Sequence, residues 1–583
     1  MSPWRVPSTR LKTQSIKAEQ DILSDAYNTT DLLSVPQAWV LYKIEVGNGN
    51  IMRTPLSNET SRSGGAGVYH HFDYIGIPRN YKWINTIQLI KTWEQMQLAY
   101  EKGARSLWIA NVGDIKPLEI PTTHFLDMAY DMDRHSKPDS QTIPPRSSTP
   151  TASSSSAAST SSSAGRRLCT APPFATRRSM YCRSEHALLS KTQSAHDGLE
   201  TEHHNAFFEM VLHPVLAGKT VVELYIKATL SAWYNKQRRT SADKLADDVF
   251  RLFDEDSQIT DRFHALSGDK WDLIMQQVHI GYDNWNDPPE NRMPNVSYHT
   301  QANVPKSGII GVSVQGSSQS APGDPETTLL AMNPYMSQTE RRYLDIFTRN
   351  NGTFSFCATS NVSYVNASAP PGLSWAGIKI QPIDAPGSWN ITAKLPVNKT
   401  SVPISISGYV ESGGVVSIEA EHFASSETKG GLSYIKLPHY GRTLSGMKLW
   451  PVTALSQDPS TAPKLTYSFH SFTSSENARV ILFLGGSTNH DPSRPLKLAF
   501  SIDGGTSTTV RPVPDTPMGQ NPSGWTEATV AGGWTSSITV SIAAGSHELS
   551  LWLLEPGVVV QKVVVDLGGF KKSGRGPLES LKV

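Results

Sequence analysis

Gly64-Gly65-Ala66-Gly67-Val68-Tyr69-His70-His71-Phe72-Asp73-Tyr74 opens the stretch that decides the fold, which runs on to Pro117. The glycines let backbone pass where a Cβ would clash. Val68 to Tyr74 alternates with the period of a strand, placing Val68, His70 and Phe72 on one face. Pro78-Arg79-Asn80 breaks it. Ile87 to Lys102 follows as a helix, with Ile90, Trp93, Met96 and Tyr100 at spacings of three and four, closed by Lys102-Gly103. Leu107-Trp108-Ile109-Ala110-Asn111-Val112 is a short apolar run of buried-strand type. Strand, crossover helix and strand make a βαβ unit and therefore a parallel sheet. Working residues in such sheets sit where strands end at their C-terminal side. Those places hold His71, Asp73, Tyr74, Asn111 and Asp114.

Length and composition frame this unit. A chain of 583 residues exceeds one core, and three or four domains are expected. A net charge of +1 supplies no bulk field for nucleic acid or membrane, and no apolar run approaches a membrane span. Neither a nucleic acid nor a membrane partner is expected. The 3 cysteines form no Cys-x-x-Cys pair, so neither a disulfide framework nor a metal site is expected. Asn28, Asn58, Asn295, Asn351, Asn361, Asn366, Asn390 and Asn398 head Asn-x-Ser/Thr triplets, and their crowding leans toward secretion. Met1-Ser2-Pro3-Trp4-Arg5-Val6 lacks the apolar segment of a signal peptide, which suggests a chain that has lost its true N-terminus.

The glycine-led strand, together with Pro78-Arg79-Asn80-Tyr81-Lys82-Trp83-Ile84-Asn85-Thr86, Trp93-Glu94-Gln95-Met96 and Asn111-Val112-Gly113-Asp114-Ile115-Lys116-Pro117, resembles glycoside hydrolase family 115, the xylan α-1,2-glucuronidases. The resemblance implies removal of (4-O-methyl)glucuronic acid side groups from glucuronoxylan or xylo-oligosaccharides, with inversion, without a cofactor, by a secreted enzyme. Inversion requires two carboxyl groups roughly 6.5–9.5 Å apart with a water between them. The family's base is the glutamate of a Tyr-Lys-Glu motif. Here Tyr42-Lys43-Ile44-Glu45 displaces that residue by one, and a one-residue slip turns a strand side chain to the opposite face. Glu45 is thus the nearest catalytic candidate, with a surface role as its competitor. The family's acid would precede residue 1, so little hydrolysis is expected.

By the same resemblance His71 and Tyr74 are catalytic candidates and Tyr42 a substrate-binding one, against ordinary strand packing. Asp73 and Asn111 are further substrate-binding candidates, or loop caps. Arg79, like Lys82, suits either a glucuronate carboxylate or a solvated loop. Glu419 and Glu421 resemble glutamates that begin carbohydrate-binding sandwiches, or form a plain polar face.

Outward from this unit the period changes. Ser147 to Ser163 is serine with alanine and threonine, followed by Arg166-Arg167 and Arg177-Arg178, and reads as disordered sequence foreign to the family. His203 to Gln277 carries three amphipathic runs, beginning at Phe207, Leu245 and Phe263. His213 and His279 lack partners at metal spacing and read as packing or surface residues. Beyond Val304 the period is two. The expected fold class is multidomain α/β plus all-α plus all-β. It comprises a partial (β/α) barrel at 19–133, a disordered insert at 134–193, a helical bundle at 194–300, and β-sandwiches at 301–408 and 409–583, with a homodimer possible. The competing function is a non-catalytic carbohydrate-binding or structural protein that works through its sandwiches.

Overall fold

The computed structural model describes residues 40–45, 49–55, 65–72, 83–116, 118–138, 175–281, 289–299, 309–324, 328–329, 332–333, 335–336, 342–350, 356–360, 375–382, 391–396, 406–517 and 520–583. At 40–45, 175–185, 356–360 and 375–382 the description is of backbone alone.

Four strands form the first sheet: β1 (Val40–Glu45), β2 (Asn50–Ile51), β3 (Ala66–His71) and β4 (Leu107–Asn111), in the order β2-β1-β3-β4. β1, β3 and β4 are parallel, with Tyr42 opposite Val68 and Val68 opposite Trp108, while β2 runs antiparallel to β1. The crossover from β3 to β4 contains helix α1 (Leu89–Glu101), and α2 (Glu119–Tyr130) follows β4. This is a four-stranded mixed sheet, with the parallel βαβ unit that the alternation and the helical spacing imply.

Every residue of α1 from Leu89 to Ala99 is buried, polar ones included. A helix covered all round needs a second wall beyond its sheet. Ile90, Trp93 and Met96 pack with Val68, Phe72, Phe125 and Met128, and the same core continues into Leu437, Tyr440, Val452 and Val559 of the C-terminal sandwich.

The middle of the chain is helical: α3 (Ala175–Asp197), α4 (Thr201–Phe207), a π turn at Phe208–Leu212 that leads directly into α5 (His213–Lys236), and α6 (Ser241–His264). Two expectations fail here. The insert 134–193 does not remain irregular to its end, because α3 begins at Ala175 and sets Leu189 and Ala195 against the bundle core. The third amphipathic run is not a helix. Ser267, Gly268, Asp269 and Leu273 take positive φ, so the chain after His264 winds through turns while Leu266 and Met275 still reach the core.

Antiparallel strands follow: β5 (Ile310–Val314) with β6 (Leu344–Thr348), and β7 (Phe356–Ser360), β8 (Trp375–Pro382) and β9 (Ile391–Pro396) as a meander. Val312 and Val314 meet Ile391 and Leu395 between them. The last unit is a sandwich of two six-stranded sheets. One sheet contains β10 (Tyr409–Val410), β12 (Ser425–Ser426), β15 (Leu465–Ser471), β17 (Leu498–Ile502), β18 (Thr508–Val510) and β20 (Gly545–Leu553). The other contains β11 (Val415–Glu419), β13 (Ser433–Leu437), β14 (Gly446–Trp450), β16 (Ser475–Leu484), β19 (Thr535–Ile542) and β21 (Val559–Asp566). Tyr467, Phe469, Val480, Leu482, Leu498 and Val563 fill the space between them. Glu419 and Glu421 brace this sandwich: Glu419 accepts from Thr443 Oγ1 at 2.6 Å and pairs with Lys562 at 2.9 Å, and Glu421 accepts from Ser445 N at 3.1 Å. No helix among the described residues is long and apolar enough to cross a membrane.

Candidate functional site

β3 and β4 end side by side, with His71 opposite Asn111 in the parallel register. Alternation then separates the two histidines. His70 turns into the core, between Phe72 and Phe125, where burial and the neighbouring His71 lower its pKa to about 3. His71 takes the other, half-buried face, edge-on to Tyr69 with ring centroids 4.4 Å apart. Asn111 is held from two sides. Its Oδ1 accepts from Gly113 N at 3.2 Å, which aims Nδ2 at His71 Nδ1, 3.4 Å away. The carboxamide therefore caps the loop and addresses the imidazole together.

Of the seven candidates, the described residues bring together His71 and Asn111. Tyr42 and Glu45 are placed by backbone, with Tyr42 opposite Val68 and Glu45 opposite Asn50. Asp73, Tyr74 and Arg79, with Lys82, lie outside the described residues.

Three groups of charged residues make contacts that the sequence pattern does not show. The loop after β4 is bound to the helical bundle: Gln277 Nε2 donates to Asp114 Oδ2 at 3.0 Å, and the Lys116 ammonium lies 4.2 Å from the Trp271 ring centroid. Lys116 also pairs with Glu119, at the start of α2, and with Glu209 Oε1 at 2.7 Å, in the π turn. Burial and the hydrogen bond to Glu119, against Lys116, push the Glu209 carboxyl up to about 7. Oxygens that share one ammonium are at most about 6 Å apart, too close to flank the water of an inverting displacement. Glu119 and Glu209 therefore do not face each other across a substrate as the two carboxyls of an inverting displacement. The signal for them was present: Lys116-x-x-Glu119 has helical pair spacing, and Glu209 is a charge inside Phe207-Phe208-Glu209-Met210-Val211.

The second group joins α1 to the sandwich. Glu94 pairs with Lys448 and with Lys91 at 3.3 Å, and accepts from Gln95 Nε2 at 2.6 Å. Lys91 also donates to Tyr440 Oη at 3.0 Å and to the Gly486 carbonyl at 2.7 Å. Burial alone would raise the Glu94 carboxyl, but Lys448 and Lys91 bring it down to about 2. In the third group, within the bundle, His279 Nε2 lies 2.9 Å from Asp256 Oδ2 and Nδ1 2.6 Å from the Gln277 carbonyl, with Trp83 stacked on the ring at 3.7 Å. His279 and His213 are both buried, so of the two expectations packing is the one realised. The exposed Glu200, Glu202 and His203 have ligand atoms within 4.8 Å of one another, without a buried donor among them.

Comparison with known families places these residues. The family model described as glycosyl hydrolase family 115 matches residues 44–145, and that described as the glycosyl hydrolase family 115 C-terminal domain matches residues 408–579. Comparison with curated proteins gives no match. Among solved structures, a novel family GH115 4-O-methyl-alpha-glucuronidase, BtGH115A, with specificity for decorated arabinogalactans, is similar at TM-score 0.59 and 16% identity. That match covers 97% of this chain and 62% of the other, so this chain spans less than two thirds of its solved relative. The C-terminal CBM6 of LamC from Zobellia galactanivorans matches at 15% identity and TM-score 0.18, covering 26% of this chain and 98% of that one. The CBM6cm-2 module of lichenase 5A from Cellvibrio mixtus matches at 17% identity and TM-score 0.17, covering 26% and 95%. Two family segments flank the helical middle, the first containing His71, Asn111 and Glu119 and the second the sandwich that walls α1: the chain belongs to glycosyl hydrolase family 115.

Proposed function

We propose that the chain is a glycoside hydrolase of the α-glucuronidase type, removing (4-O-methyl)glucuronic acid side groups from glucuronoxylan by an inverting displacement. The observation that carries this reading is the pairing of His71 with Asn111 at adjacent ends of parallel strands, inside the segment matched by the family model. An imidazole and a carboxamide at such a place can hold sugar hydroxyls and orient a reacting water. In the same reading the β1-β3-β4 strands are a sector of a (β/α) barrel, Tyr42 and Asp73 line the sugar site, Tyr74 assists the chemistry, and Arg79 meets the glucuronate carboxylate. Glu45 is the base candidate. Its displacement by one residue from the family's Tyr-Lys-Glu spacing makes low turnover the expectation. The crowded Asn-x-Ser/Thr triplets support an extracellular setting.

The test is release of free uronic acid from glucuronoxylan by the full chain, followed by chromatography. Slow release is expected, falling on the order of 100-fold when His71→Ala removes the imidazole. Release unchanged in that variant would remove His71 from the site. A chain that liberates nothing yet co-sediments with insoluble xylan would overturn the enzymatic reading in favour of carbohydrate binding.

A further inference from the structure

One junction in the molecule holds more negative charge than it can neutralise. Lys116, Glu119 and Glu209 meet where the loop after β4 touches the bundle, with side chains exposed by only 16%, 21% and 8%. They come from two separate parts of the fold. Lys116 and Glu119 belong to the sheet unit, and Glu209 to the π turn of the bundle. A single ammonium faces two carboxyl groups, so one of the two negative charges lacks a cation of its own in a poorly hydrated place, and a proton can replace that cation.

We propose that Lys116, Glu119 and Glu209 form a proton-sharing clasp that fastens the helical bundle to the sheet unit in acid and loosens it as the pH rises. The clasp concerns how the two units are joined and is independent of the glycosidase reading. Other charged groups nearby are accounted for. Lys270 shares the Trp271 ring with Lys116, at 4.7 and 4.2 Å from the centroid. Arg262 lies over the Phe208 ring at 3.9 Å, and Asp114 accepts from Gln277. His213, beyond Phe208, is buried and stays neutral.

The sign follows from the raised carboxyl. Glu209 keeps its proton up to about pH 7 when the clasp is closed and loses it near 4.5 when the clasp is open. Opening therefore releases a proton between these values, and the stabilisation, complete below 4.5, is lost as the pH rises through 7. A π turn suits such a joint, because it interrupts the regular ladder where the load is applied.

Amide hydrogen exchange on the full chain tests this, with intrinsic exchange rates divided out and residues 112–122 and 205–213 followed from pH 5 to pH 8. The opening constant of these segments is expected to rise on the order of tenfold between pH 5 and 7 and then level off. Glu209→Gln keeps the hydrogen bond without the titration, and Glu119→Gln leaves one carboxylate for one ammonium. Each variant is expected to flatten the rise to below about twofold, and the second serves if the first fails to fold. A rise that persists in both variants, or its absence from the parent chain, would overturn the clasp.

Discussion

At the scale of single residues, the most consequential side chains are buried charges and buried neutral histidines. Glu94 and Lys448 are each 1% exposed and hold each other across two units of the molecule. Removing one partner of a buried pair costs about 3–5 kcal/mol, because the other charge is stranded. Glu94→Ala is expected to lower the unfolding free energy by that amount in urea titrations, with Lys91 and Lys448 left unneutralised. A change below about 1 kcal/mol would show that the cluster is hydrated. Burial keeps His490, His70 and His213 neutral, with pKa values lowered to about 4, 3 and 3. The unfolded chain binds protons at these sites below about 6.5, so stability present above that pH is lost progressively toward pH 4. Each histidine is expected to contribute up to about 2 kcal/mol of destabilisation between pH 7 and pH 5. Urea midpoints at the two pH values check this, and a His490→Gln chain should lose less than the parent.

At the scale of elements, the site depends on how closely β3 and β4 lie. A Cβ on Gly67 would meet the Leu107 carbonyl oxygen at 2.4 Å, so glycine there is required by strand spacing and not by its dihedral angles. Gly67→Ala is expected to part the strands, costing about 1–3 kcal/mol and breaking the His71–Asn111 contact. Unchanged stability together with an unchanged His71 imidazole resonance would contradict that. The elements themselves were largely legible. Alternation at Val68 to Phe72 and the spacing of Ile90, Trp93 and Met96 announce β3 and α1, because one face of each is apolar. The turns after His264 were not legible. Phe263, Leu266, Trp271 and Ile274 keep helical spacing, yet Ser267, Asp269 and Leu273 take positive φ, which the spacing of apolar residues does not encode.

At the scale of the whole molecule, the sheet unit and the C-terminal sandwich are separate in sequence but share one core. Leu437, Tyr440, Val452 and Val559 belong to the sandwich and pack with Ile90, Trp93 and Phe125. The sandwich has its own interior as well. Residues 406–583 alone are therefore expected to fold, but to expose an apolar patch around a Lys448 deprived of Glu94. Dye binding to exposed apolar surface and an unfolding midpoint several degrees, roughly 5 °C, below the same transition in the full chain would report this. Equal midpoints would mean that the shared core adds nothing to the sandwich.

Taken alone, the sequence determined the order of units, the parallel βαβ motif, the family and the place of His71 and Asn111 at strand ends. Each of these is written in local periodicity or in contiguous strings of residues. Tertiary structure decided the rest. It brought Glu209 to Lys116 across 93 positions (209 − 116) and Lys448 to Glu94 across 354. Pairings at such separations leave no periodic trace, because the polar residues that make them are buried by partners the local pattern does not contain.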